Sequence, residues 1–250
     1  YFSLGGFEVS ADHTRMAYAV DVTGDERFDV VVMDIATREV LDEAITGAGY
    51  GLAFSRDARH LFHVAVDDAW RPHEVWRHEV GTDRGDDVLV HREDDERFWM
   101  GLGTSRDERW VVLGLGSKTT SEVHLIDAHD PTGPMRCVAA RREGVEYDVE
   151  HAVIGGEDRF LVTHNDGAPN YVVAEAPAGP IEGPLRDLRT LVAHRDDVRV
   201  EQVAEDGGDL GAPRCLRVGE QRVALEPVPR GVELARIPAP VGVDDGTVDV

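Results

Sequence analysis

The chain has 250 residues, 42% of them hydrophobic, and a formal net charge of −23. That apolar content supports a sizeable core in one large domain or two small ones. A surface so acidic repels phosphate backbones and anionic lipid headgroups, which argues against nucleic-acid and membrane-surface roles and leaves cationic ligands or plain solvation.

The first element is "GFEVS", a short apolar run that ends in a Ser-x-Asp turn at Ser10 and Asp12. "RMAYAV" follows, then a polar gap, then "FDVVVMDI". The same order returns as "GLAFS", a turn at Ser55 and Asp57, "HLFHVAV", "HEVWRHEV" and "DDVLVH". It returns again as "WMGLGTS", Ser105 and Asp107, "RWVVLGL", "SEVHLIDA" and "MRCVAA". A fourth copy reads "EYDVEHAV", Asp158, "RFLVTH" and "NYVVAEAP". The four turn aspartates are spaced by 45, 50 and 51 residues.

Runs of four to eight residues, alternating or rich in β-branched side chains and punctuated by Gly, Asp and Asn, are antiparallel strands. Four strands per unit at this period predict an all-β chain folded as β-propeller blades, with a β-sandwich as the competing architecture. In each Ser-x-Asp turn a side-chain oxygen accepts from the backbone about two residues on, which closes the first hairpin of the blade. A fifth unit should begin near Asp206, but "DLGAPR" stands where its second strand belongs, and the text beyond residue 225 is Pro-rich and weakly patterned. The expected organisation is therefore four clear four-stranded blades over 1–200, with a degenerate blade or a non-native boundary region over 201–250.

Chemistry-bearing motifs are missing. None of the serines sits in G-x-S-x-G, and no serine follows Ser121. "GLGSKTT" lacks the Gly that must precede the P-loop Lys, and "GLGTSR" lacks the third Gly of a dinucleotide fingerprint. "DVTGDERFD" does not follow the spacing of a calcium-binding loop. His73 and His78 are five apart in a strand and point to opposite faces, and H-E-x-x-H and C-x-x-C are both absent. No catalytic residue, metal or cofactor is expected. Cys137 and Cys215 lie far apart, which fits a reducing, cytoplasmic setting. No run approaches the roughly 18 apolar residues needed to cross a bilayer, and no secretory leader is visible. The chain opens on Tyr1, inside structured-looking sequence, as expected of a segment of something longer.

Several stretches carry a family resemblance. "YFSLGGFEVSADHTRMAYAVDVTGDERFDVVVMDIATRE", "RPHEVWRHEVGT", "GLGTSRDERWVVLGLGSKTTSEVHLIDAHDP", "GVEYDVEHAV" and "NDGAPNY" occur in order. Together they resemble the propeller domain of the oligopeptidase B branch of the prolyl oligopeptidase family of serine peptidases. The resemblance covers about residues 1 to 200. It implies a fragment of a seven-bladed propeller set on an α/β-hydrolase domain, the partner in cis, which would carry the Ser, Asp and His triad. It implies substrates that are short basic peptides, cut after Arg or Lys, with the propeller screening out folded proteins. No catalytic position is present to carry over, so the implied role of this segment is gating and domain contact. The alternative is a stand-alone propeller acting as a protein-interaction scaffold; a metal-centred propeller enzyme would need acids or His on its innermost strands, where "FEVS", "LAFS" and "GLGTS" offer few.

Loops between the second and third strands of all blades emerge on one side of a propeller. Here they are 21–27, 67–73, 116–122 and 164–170, and in the family that side looks toward the hydrolase domain. Asp25, Glu26, Asp68, Arg71, Lys118, Asn165 and Asp166 are the candidates for interdomain ion pairs or the wall of the substrate cavity; ordinary solvated turns are the alternative for each.

Overall fold

The computed structural model describes residues 1–194, 200–203, 215–218 and 221–223. The first blade is β1 (Ser3–Val9), β2 (Arg15–Asp21), β3 (Asp29–Asp34) and β4 (Val40–Asp42). The second is β5 (Ala48–Phe54), β6 (His60–Val66), β7 (Pro72–Glu79) and β8 (Val88–Arg92). The third is β9 (Trp99–Thr104), β10 (Trp110–Gly116), β11 (Ser121–Asp127) and β12 (Arg136–Cys137). The fourth is β13 (Tyr147–Ile154), β14 (Glu157–His164), β15 (Val172–Pro177) and β16 (Arg189–Val192). Each blade is an antiparallel meander with its strands in sequence order. The architecture is the partial β-propeller that the repeat predicts. Among the described residues no helix is long and apolar enough to cross a membrane.

The hydrophobic core is divided into three, one part between each pair of neighbouring blades. Ala17, Ala19, Phe28, Val30 and Val32 of the first blade meet Leu52, Phe54 and Leu61 of the second. Phe62, Val64 and Val75 meet Met100, Leu102, Val111, Leu113 and Leu115 of the third. Trp110, Val123 and Leu125 meet Tyr147, Val149, Phe160 and Val162 of the fourth. Successive side chains on a strand point to opposite faces. Leu61 therefore packs backward onto the first blade while Phe62 packs forward onto the third, and Trp110 and Val111 part in the same way. An interior blade is apolar on both faces, and neither face is covered until its neighbours are in place.

Three hairpins share one turn. Ser10, Ser55 and Ser105 each donate their hydroxyl to the Asp two residues on, at 2.6, 2.6 and 2.7 Å. The same oxygens accept the backbone N–H groups of Arg15, His60 and Trp110. Asp12, Asp57 and Asp107 accept from the N–H two residues further on. His13, Ala58 and Glu108, one after each Asp, take positive φ. The fourth blade departs from the expected pattern. Its hairpin turns at Gly155 and Gly156, with φ of 63° and 85°, and Asp158 lies inside β14 opposite Val153. Two glycines at positive φ make a two-residue hairpin loop with no side-chain bond to hold it.

Little of the fifth unit falls among the described residues. Three short antiparallel strands, β17 (Val200–Val203), β18 (Cys215–Val218) and β19 (Gln221–Val223), form a sheet in that order. Asp206, "DLGAPR" and residues 224–250 lie outside the described residues.

Candidate interdomain face

The loops after the second strands run 22–28, 67–71, 117–120 and 165–171. They share one face of the molecule with the connections between blades, and a belt of contacts joins them. Trp70 Nε1 donates to the Asp25 carbonyl at 2.6 Å, and the Arg27 guanidinium lies 5.1 Å from the Trp70 ring. Arg71 Nη1 donates to the carbonyl oxygens of Glu93, Asp95 and Phe98 at 3.1 to 3.3 Å. Glu93 pairs with Arg141 at 2.5 Å. The Thr120 hydroxyl accepts from Gly144 N–H at 3.0 Å. Asp166 binds Arg142 at 2.5 Å and Arg186 at 3.1 Å. The belt thus runs from the first blade to the fourth.

The seven candidates separate on this face. Asp25, Glu26, Asp68 and Lys118 are exposed. Glu26 holds φ of 57°, and its N–H donates to Asp21. Arg71 and Asp166 are buried, and their charges are spent inside the fold: Arg71 on Asp67 and three carbonyls, Asp166 on two arginines. Burial opposes ionisation of Asp166, but Arg142, the Arg186 N–H and both guanidinium charges outweigh it and hold the carboxyl below its usual range. Asn165 is half-buried and bonded to Glu146 through its amide and backbone. The structure places these three as the residues that shape the loops, and the other four as charges presented to solvent.

Two organising residues escape the motif search. Asp21 ends β2, and Asp67 directly follows β6. Asp21 is almost fully buried and accepts from the N–H groups of Thr23, Gly24 and Glu26 at 2.7 to 2.9 Å. Burial raises its pKa, but those backbone donors outweigh it and hold it at about 2. Asp67 accepts from the N–H groups of Ala69 and Arg71. The signal was available in "YAVD" and "VAVD", where an acid closes the same strand in two successive repeats.

The opposite face, which carries the hairpin turns, is stitched separately. Arg15 donates to the Ala58 carbonyl at 2.7 Å, Arg56 pairs with Glu108 at 2.6 Å, and Asp107 meets His151 at 2.6 Å. Each contact crosses from one blade to the next.

Comparison with known proteins agrees with this architecture. Residues 1–225 match the model of the prolyl oligopeptidase N-terminal β-propeller domain. The dipeptidyl aminopeptidase BI of Pseudoxanthomonas mexicana is 36% identical over 226 residues, 89% of this chain and 30% of that protein. Protease 2 of Moraxella lacunata is 34% identical over 77% of this chain and 26% of its own length. Among solved structures, oligopeptidase B from Trypanosoma brucei superposes with a TM-score of 0.70 at 27% identity, covering 88% of this chain and 29% of that one. Oligopeptidase B from Leishmania major gives 0.70 at 26%, covering 80% and 28%. The chain thus spans less than a third of the length of these relatives. With its four meander blades and a match from the first residue to 225, the chain belongs to the prolyl oligopeptidase family, as its N-terminal β-propeller domain.

Proposed function

We propose that this chain is the gating and size-selecting propeller of an oligopeptidase B-like serine peptidase that cuts short peptides after basic residues. The observation that carries the reading is the family match over 1–225, combined with similarity to oligopeptidase B structures. The catalytic Ser, Asp and His would come from an α/β-hydrolase domain in the same polypeptide. The loop face meets that domain through Asp25, Glu26, Asp68 and Lys118, while Arg71, Asn165 and Asp166 hold the loops in shape. Exposed ion pairs contribute about 0–1 kcal/mol each, enough to bias opening without locking it. The acidic groups on this face would also draw basic peptides toward the mouth. The unpaired Cys137 fits a reducing, cytoplasmic setting.

The test has two parts. The gene flanking the codons of this chain is read for a G-x-S-x-G segment followed by Asp and His. The full-length product is then assayed on short peptides ending at Arg or Lys, on matched peptides ending at Pro, and on folded proteins. Cleavage confined to the short basic peptides is expected. A reading frame without a hydrolase domain removes the peptidase reading and leaves the scaffold reading; cleavage after Pro alone removes the basic specificity.

A further inference from the structure

Three potential metal donors meet at the outer edge of the third blade. Glu122 and His124 are two apart on β11, so they share a face of the strand, and His124 is the direct partner of Cys137 across β12. His124 Nε2 lies 2.7 Å from Glu122 Oε1. One donor atom from each of the three lies within 4.8 Å of the others. A fourth group comes from the neighbouring blade. His91, on β8, has its ring centroid 5.3 Å from that of His124, and its Nε2 is buried without a hydrogen-bond partner.

Thiolate, imidazole and carboxylate together are a borderline-soft donor set. Calcium and magnesium take oxygen ligands, whereas zinc, cobalt and their neighbours take this mixture. We propose that Cys137, His124 and Glu122, with His91 as the fourth donor, bind one divalent transition-metal ion of the zinc class and so staple the second blade to the third. Metal–ligand bonds of about 2.0–2.3 Å in a tetrahedral site put donors about 3.5 Å apart, so on binding the His124–Glu122 pair, at 2.7 Å, opens while donors up to 4.8 Å apart draw in. Cys137 and His91 lie on the outermost strands of their blades, where such a shift disturbs only one ladder.

Burial, reinforced by Glu122, pushes the Cys137 thiol up to about 11, and burial keeps His91 below its ordinary value. On binding, the S–H bond of Cys137 is replaced by a metal–sulfur bond and its proton goes to solvent. The ring hydrogen that His124 shares with Glu122 through Nε2 moves to Nδ1 as the metal takes Nε2. One proton leaves per ion. Arg141 is the competing cation: its Nη2 is 3.1 Å from Glu122 Oε1. Its bond to Glu93 at 2.5 Å and its place 4.0 Å from the Phe98 ring hold it when the ion takes that oxygen.

The experiment titrates the reduced, metal-free 250-residue chain with Co²⁺ and follows the absorption spectrum. One equivalent should develop a thiolate-to-cobalt charge-transfer band and the intense visible bands of a tetrahedral ion, with release of one proton. Zn²⁺ should displace the cobalt. Cys137→Ser should abolish the charge-transfer band, and His91→Gln should weaken the visible bands. Glu122→Gln should loosen binding by at least roughly 10–100-fold, the loss already typical when an outer partner of a metal ligand is removed. No band in the unmodified chain, or a band that survives in Cys137→Ser and so reports Cys215, overturns the proposal. Unchanged spectra in His91→Gln overturn the link between blades.

Discussion

A serine hydroxyl and the aspartate two residues on account for three of the four inner hairpins. Ser105 is buried and sits between the Asp107 carboxylate and the Trp110 N–H. Its loss leaves a buried donor unmatched, so Ser105→Ala should cost about 1–3 kcal/mol in denaturant unfolding; a cost near zero would show that the turn needs only its backbone. The frame of this device was legible because it repeats. His78 was not, because its partners come from two blades. Its Nδ1 lies 2.6 Å from Asp87 and its Nε2 2.9 Å from Asp42 of the first blade. Burial opposes its charge, but the two carboxylates outweigh burial and hold its pKa above the ordinary 6.5. Asp42 and Asp87 are in turn held below 3.8 against burial, chiefly by bonds from His78 and His63. The histidine's contribution is complete below 6.5 and is lost as pH rises through its raised value. The carboxylates' contribution is complete above 3.8 and is lost as pH falls through their lowered values. The clamp is therefore whole between those limits. His78→Ala should cost about 3–5 kcal/mol in that window, and the gap to the parent should narrow well above it. His60, His91 and His164, kept below their ordinary value mainly by burial, act in the opposite direction but cancel in the comparison. An equal gap at both pH values would mean that the clamp is not ionic.

At the scale of elements, the innermost strands set how closely blades approach. β5 lies beside both β1 and β9. Gly51 on β5 has φ of +107°, and a Cβ there would stand 3.1 Å from the Leu102 Cβ and carbonyl oxygen of β9. Gly51→Ala should destabilise by about 1–3 kcal/mol through overpacking, with further strain from the backbone. Gly101→Ala is the control, because a Cβ at Gly101 meets nothing within 4 Å. Urea midpoints should fall for the first and hold for the second, with slopes unchanged; equal behaviour would show that the inner strands are not in tight contact. Strand existence and order were readable from period-two runs and polar gaps. In the fourth blade Asp158 keeps the spacing without a Ser partner, so the spacing points to an Asp turn where the chain makes a Gly-Gly one. Two residues of "MRCVAA" suffice as β12, since an outer strand is bonded on one side only.

For the whole molecule, three interblade cores support four blades, and the outward face of the first blade remains partly open. Phe7 is 50% exposed and Val9 37%; they stand opposite Tyr18 and Met16 on β2. Tyr1, Phe2 and Leu4 are also exposed. An apolar sheet face of this kind seeks cover. The isolated 250-residue chain should self-associate in a concentration-dependent way in sedimentation, and Phe7→Lys with Val9→Lys should shift it toward monomer. A monomer at every concentration would show that this face is content in water.

What the sequence determined by itself was the repeating unit. Strand period, turn chemistry and unit length are local properties, and a local pattern written four times identifies both the blade and, through its motifs, the family. Tertiary structure decided everything that depends on which blade faces which. It turned Arg71 and Asp166 from candidate surface charges into buried ties, because most of their partners lie 20 or more residues away. It built the Asp42–His78–Asp87 clamp and brought Cys137 to His124 and Glu122. The physical reason is common to all of them: stacking buries polar groups from separate repeats against one another, and no period in the chain records which ones meet.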